Sequence, residues 1–290
     1  MASLKEVKNR INSVTSTRKI TSAMKLVASS KLHKAQAAIG SMLPYERQLS
    51  AIMSRFVGGM QGEISSPYTE ARPVSKAVVV AISSNSSLCG AFNSNVVKEM
   101  SRVVAELKAT GTEVEVLTIG TKVSEKARRM SLAGTDESHA ALLDHPAYSE
   151  AAQLAAKLME RYVKKEIDRV LLVYHHYKNT AVQELWSETF LPVDFSSVEE
   201  QETMGRHLDY IIEPSQEAIV EQLIPRVLHL KIYTALLDSL ASEHAARVIA
   251  MQVATDNADE LLGELTLMYN KTRQAAITAE LLDIVGASFQ

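Results

Sequence analysis

The C-terminal stretch of the chain most restricts what it can fold into. After Pro225 no proline occurs up to Gln290, and the only glycines are Gly263 and Gly286. Proline and glycine are the residues that interrupt helices, so most of this run is expected as one helix of roughly 90 Å, longer than a compact domain requires. Leu262, Leu265, Tyr269, Thr272, Ala276 and Ala279 follow at 3, 4, 3, 4, 3, the spacing of a coiled-coil seam. Large residues give way to small ones toward the end, which ends in the nearly uncharged stretch RQAAITAELLDIVGASFQ. A helix this long, with no domain of its own to pack on, needs another helix beside it.

The other end of the chain supplies one. Ser3-Leu4-Lys5-Glu6 reads as a capping box, Ser3 accepting from the Glu6 amide and the Glu6 side chain reaching back to the Ser3 amide. Neither glycine nor proline then occurs until Gly40 and Pro44. Leu4, Val7, Ile11 and Val14 are spaced 3, 4, 3, and after a skipped beat Ile20, Met24 and Val27 repeat 4, 3, again a coiled-coil stripe. The net charge of −3 hides a division: Lys5, Lys8, Arg10, Arg18, Lys19, Lys25, Lys31 and Lys34 face only Glu6 up to Gly40, whereas acids outnumber bases from Lys231 onward. Opposite charge at the two ends favours their pairing. The basic, acid-poor start also suits a mitochondrial transit peptide, but a helix cap at residue 3 argues for mature structure and a bacterial protein.

Between the ends the period changes. Gly58-Gly59 and GEISSPYTEARPV (62–74) read as a linker. AVVVAISS (77–84) is a continuous apolar run, the mark of a strand covered on both faces. Strands are expected again at 113–120 and 168–177, an antiparallel partner at 182–190, and helices at 93–108, 121–130 and 148–166. Alternating strands and helices indicate a small doubly wound, Rossmann-like sheet. The expected class is α/β: a long antiparallel coiled coil of N-terminal (1–57) and C-terminal (208–290) helices with an α/β body (75–195) inserted between them.

Composition is that of a folded protein, 46% hydrophobic and 22% charged, and no stretch approaches the roughly 18 uninterrupted apolar residues of a membrane span. The loop after the first strand, SSNSSLCGAFNSN, holds neither a GxGxxG nor a GxxxxGK[ST] motif, and no lysine meets a phosphate there. Cys89, the single cysteine, excludes an internal disulfide and reads as a small apolar filler before a reactive thiol. His175-His176 sits in a strand, where neighbours face opposite sides, so the pair does not chelate one metal; His244 reads as a coil or core position. No catalytic constellation, metal site or cofactor loop stands out, and a mechanical or binding part fits better than an enzyme. Two rivals make distinct demands. A coiled-coil nucleic-acid module calls for basic residues interleaved with aromatics, and residues 1–40 contain no Phe, Tyr or Trp. An α/β enzyme with helical dimerisation arms calls for a ligand loop that this sequence lacks; a coiled-coil protein-interaction module stays open as the alternative.

RINSVTSTRKITSAMKLVASSKL (10–32), SSLCGAFN (86–93) and ASEHAARVIAMQVATDNADELLGELTLMYNKTRQAAIT (241–278) closely resemble the gamma subunits of F-type ATP synthases, end to end and in order. One departure is visible: that family commonly reads Asp-Arg-Gly before Leu-Cys-Gly, where this chain has Asn85-Ser86-Ser87. The resemblance implies a non-catalytic rotor in the central stalk, one copy inside a ring of three alpha and three beta subunits. Its body would stand on the ring of membrane c-subunits and carry epsilon, peripheral to the cytoplasmic face of the bacterial inner membrane, with no cofactor and no nucleic acid. It also implies that Arg273, Gln274 and Thr278 hydrogen-bond the surrounding ring, together with Met24 and Arg247, whose helices pair there. Met24 reads equally as a seam residue and Arg273 as a solvated cation. Arg10 and Lys19 would meet acidic loops of beta, or simply form a solvated face.

Overall fold

The computed structural model describes residues 3–59, 66–132, 134, 139–193 and 216–288. Two long helices bound the chain, α1 (Leu4–Gly59) and α6 (Gln216–Ser288). Between them come β1 (Lys76–Ile82), α2 (Phe92–Ala109), β2 (Glu113–Ile119), α3 (Thr121–Arg129), α4 (Ala141–Asp144), α5 (Tyr148–Val163), β3 (Arg169–Tyr177) and β4 (Gln183–Leu191). The Ser3 cap is half of the expected box. The Glu6 amide donates to Ser3 Oγ at 3.2 Å, but the Glu6 carboxylate is drawn to Arg10 at 3.1 Å instead. Gly58-Gly59, expected as linker, is still helical; residues 60–65, and 208–215 of the expected C-terminal helix, lie outside the described residues. The chain forms two compact units, one of residues 1–30 and 247–290, the other of residues 31–246. Each long helix gives one part of itself to each unit.

In the second unit the sheet order is β2-β1-β3-β4, the first three strands parallel and β4 antiparallel to β3. Alternate residues of β1 and β3 face opposite layers, as the strand period demands. Val78, Val80, Ile82, Leu172 and Tyr174 pack with α5 (Leu154, Leu158, Tyr162) and α6 (Ile224, Leu228, Ile232, Leu236). Val79, Ala81, Leu171 and Val173 pack with α2 (Val96, Met100, Val103) and α3 (Val123, Ala127). Helices on both faces make the sheet doubly wound. Met53 of α1 is buried in the first of these cores. Gln36 of α1 donates to the Tyr177 hydroxyl at 2.7 Å. At the other end of the sheet Arg72 binds Asp168 at 2.7 Å and lies over the Tyr162 ring at 4.2 Å. Burial pushes the Asp168 carboxyl up, but hydrogen bonds from the Lys76 and Ser75 amides and from Arg72 outweigh it and hold the group below its usual range.

Candidate functional site in the paired terminal helices

The first unit is an antiparallel helix pair. Arg18 binds Asp259 at 2.6 Å, the Thr21 and Thr255 hydroxyls meet at 2.8 Å, and Lys25 donates to Gln252, which itself donates to Asp256 at 2.7 Å. These contacts fix register. Val7, Thr21, Ala28, Met251, Ala258 and Leu265 are buried along the seam, with Leu4, Ile11, Val14, Leu262, Tyr269 and Thr272 half-buried.

The seam differs from the expected stripe in its middle. Ile20 and Val27 do not turn inward; they are 59% and 58% exposed, and Leu26 is 69% exposed. No beat is skipped: Leu4, Val7, Ile11, Val14, Arg18, Thr21, Lys25 and Ala28 keep the 3, 4 period without a break. Hydrophobicity and period part where Arg18, Thr21 and Lys25 take over, and the 3, 4 spacing carried through these polar residues is the signal in the sequence. Polar seam residues cost stability and specify register. The outer face is inverted to match, with Ile20, Leu26, Val27, Ile249 and Val253 exposed beside this polar stretch.

The register runs α1 out at Leu4, level with about Thr272 of α6. Every described side chain from Arg273 to Val285 is exposed, including Ile277, Leu281, Leu282 and Ile284. The large apolar groups of this tip are therefore uncovered by the described chain, an arrangement that marks an interaction surface.

The residues implied by the resemblance fall at two levels. Arg273, Gln274 and Thr278 lie on the tip, where the Thr278 hydroxyl donates to the Gln274 carbonyl at 2.9 Å. Met24, half-buried, lies level with about Gln252, roughly 30 Å along the helix from Arg273. Arg247 is buried, 8% exposed. Arg10 is exposed, holds Glu6, and borders a shallow groove with Val14, Leu261 and Leu265. Lys19 is exposed.

In the body, buried side chains among the described residues pack at the place where a sheet of this kind takes a ligand. Doubly wound sheets bind ligands beyond the carboxyl ends of their parallel strands, here those of the neighbours β1 and β3. Phe92, opening α2, stacks there on His175 with ring centroids 4.4 Å apart, both buried. Cys89 is buried and accepts from Asn93 Nδ2 at 3.1 Å. Among the described residues no cluster of metal-ligating side chains occurs, and no helix is long and apolar enough to cross a membrane.

A family model described as ATP synthase matches residues 3–288. The chain is 54% identical over 300 residues to an ATP synthase gamma chain of Bacteroides thetaiotaomicron, covering 100% of both. It is 55% identical over 290 residues to one of Bacteroides fragilis, covering 99% of both. Among solved structures, a chain of the Euglena gracilis mitochondrial ATP synthase (OSCP/F1/c-ring, rotational state 3) shares the fold with a TM-score of 0.61 at 22% identity, over 99% of this chain and 93% of that one. A chain from the central stalk and c-ring of the Tetrahymena thermophila mitochondrial enzyme shares it with a TM-score of 0.57 at 23% identity, over 81% of this chain and 99% of that one. With full-length relatives above half identity and a family match across nearly every residue, the chain belongs to the ATP synthase gamma-chain family.

Proposed function

We propose that the chain is the central-stalk rotor of an F-type ATP synthase, coupling ion flow through the membrane sector to ATP synthesis or hydrolysis at sites held by other subunits. The observation that carries this reading is the helix pair: a seam that turns polar in its middle with apolar side chains outside that stretch, and a nearly uncharged tip from Arg273 onward that the described chain leaves uncovered. Such a rod is stable as a working part when a sleeve of other subunits surrounds it. Few fixed charges on its tip means few salt bridges to break during rotation.

In this reading the paired ends (1–57 and 208–290) enter a ring of three alpha and three beta subunits. The body (75–195) stands on the c-ring and carries epsilon, and the complex sits at the cytoplasmic face of a bacterial inner membrane. Arg273, Gln274 and Thr278 contact the ring at the tip and Met24 and Arg247 at the lower level, with Arg10 and Lys19 turned toward acidic loops of beta. A rotor drives distant sites only through contacts that differ among their states, which is a coupling free energy between sites. Catalysis stays in the partners. The test is co-assembly of the purified chain with cognate alpha and beta, followed by ATP hydrolysis and subunit stoichiometry. One copy per ring, with hydrolysis by the complex and none by the chain alone, is the expected result; exclusion from the ring contradicts the proposal.

A further inference from the structure

Where α6 crosses the sheet, one stripe of it is polar while its flanks are apolar. Lys231 binds the Glu188 carboxylate at 3.1 Å and donates to the Thr189 carbonyl at 3.3 Å. Asp238 meets His176 Nδ1 at 2.6 Å and accepts the Tyr177 amide at 3.2 Å. Ser242 donates to the His175 carbonyl at 3.2 Å. Seven and then four residues apart, these three side chains share one helix face, and all their partners lie on β3 and β4. Leu228, Ile232, Leu236 and Ala241 beside them are buried.

Hydrophobic burial is non-directional and leaves a helix free to shift on a sheet with little change in buried area. Hydrogen-bonded groups enclosed by protein are held in place, because each unmade bond leaves a desolvated partner. The middle rung is the most constrained. The Asp238 side chain is 17% exposed, and the Trp186 ring stacks on His176 with centroids 4.2 Å apart, fixing the imidazole. Burial raises the Asp238 carboxyl above its ordinary range, opposed by the His176 contact, so an apolar residue here would be easier to bury. What the carboxylate adds is position.

We propose that Lys231–Glu188, Asp238–His176 and Ser242–His175 form a torque joint, locking α6 to the sheet against rotation and axial slip so that work passes between helix and body. These are positioning residues, and the proposal rests on the rotor reading above.

The test uses the assembled complex, with a bead attached through Lys108→Cys in a Cys89→Ser background. Torque is read from rotation speed against increasing viscous load, beside ATP hydrolysis by the same preparation. In Lys231→Met/Asp238→Ala, hydrolysis should stay within about twofold of the parent while torque under load falls. In the free chain, exchange of the Tyr177 amide should quicken about fivefold per rung lost. Asp238→Asn, which still accepts from the Tyr177 amide, should restore both readouts. Should the double variant fail to assemble, Lys231→Met and Ser242→Ala read the joint singly with the same expectation. A parent that rotates and a joint variant that delivers equal torque overturn the joint alone; a parent that never rotates its bead removes the rotor reading, and the joint with it.

Discussion

His175 is buried against Phe92, and its Nδ1 has no hydrogen-bond partner among the described residues. Burial lowers its pKa from 6.5 to about 4. The unfolded chain therefore takes up this proton first as pH falls, so the stability linked to His175 is complete above about 6.5 and lost toward about 4. The loss amounts to about 3 kcal/mol across that window. Urea unfolding at a series of pH values should show it in the parent, and His175→Phe should flatten the slope; an unchanged slope contradicts the assignment. Asn85 makes a second residue-level case. Its amide donates to the Ala140 carbonyl at 2.9 Å and to Asp144 at 3.0 Å, while its oxygen accepts the Thr121 amide at 3.2 Å. A carboxylate makes only the last of these and faces a like charge. Asn85→Asp should destabilise the body by about 1–2 kcal/mol, with partial recovery in Asn85→Asp/Asp144→Asn, measured as a double-mutant cycle. A lone Asn85→Asp as stable as the parent contradicts the bond assignment. The strand period put His175 and His176 on opposite faces from sequence alone, but it could not supply Phe92 or Asp238, which come from distant elements.

At the scale of elements, strands and helices of the body were legible because each keeps one period and ends at turn residues. β1 is a seven-residue strand, apolar and buried after Lys76, and β4 pairs antiparallel to β3 as expected. The seam of the terminal helices was legible where it is apolar, as at Leu4 to Val14 and Leu262 to Thr272. It was not legible at Arg18, Thr21 and Lys25, because hydrophobicity and period part there. Polar side chains reach the seam and find partners, and the nearby apolar ones face outward. Thr21 and Thr255, in hydroxyl contact, give a direct check of the antiparallel register. Thr21→Cys/Thr255→Cys in a Cys89→Ser background should close a disulfide under mild oxidation, since that geometry tolerates little displacement. Mass spectrometry should find the 21–255 crosslink, and its absence contradicts the register.

The whole molecule consists of two compact units that share two helices, and its least self-sufficient part is the tip. Ile277, Leu281, Leu282 and Ile284 are exposed, so charges placed there should leave the stability of the free chain within about 0.5 kcal/mol of the parent. Leu281→Asp/Leu282→Asp should therefore melt like the parent yet enter the alpha–beta ring poorly, as read by co-purification; normal assembly contradicts a sleeved tip. The proposed site residues were legible only as a family resemblance. Nothing in the local spacing of Arg273, Gln274 and Thr278 distinguishes them from a solvated helix face, because the partners proposed for them belong to other chains. A rotor has to turn within its ring. The most direct measurement is single-molecule observation of a bead fixed to Lys108→Cys, in Cys89→Ser, on the chain assembled with immobilised cognate alpha and beta. ATP-dependent stepping in one direction is the expected result. A bead that stays fixed, or only fluctuates, while the same complexes hydrolyse ATP would contradict it.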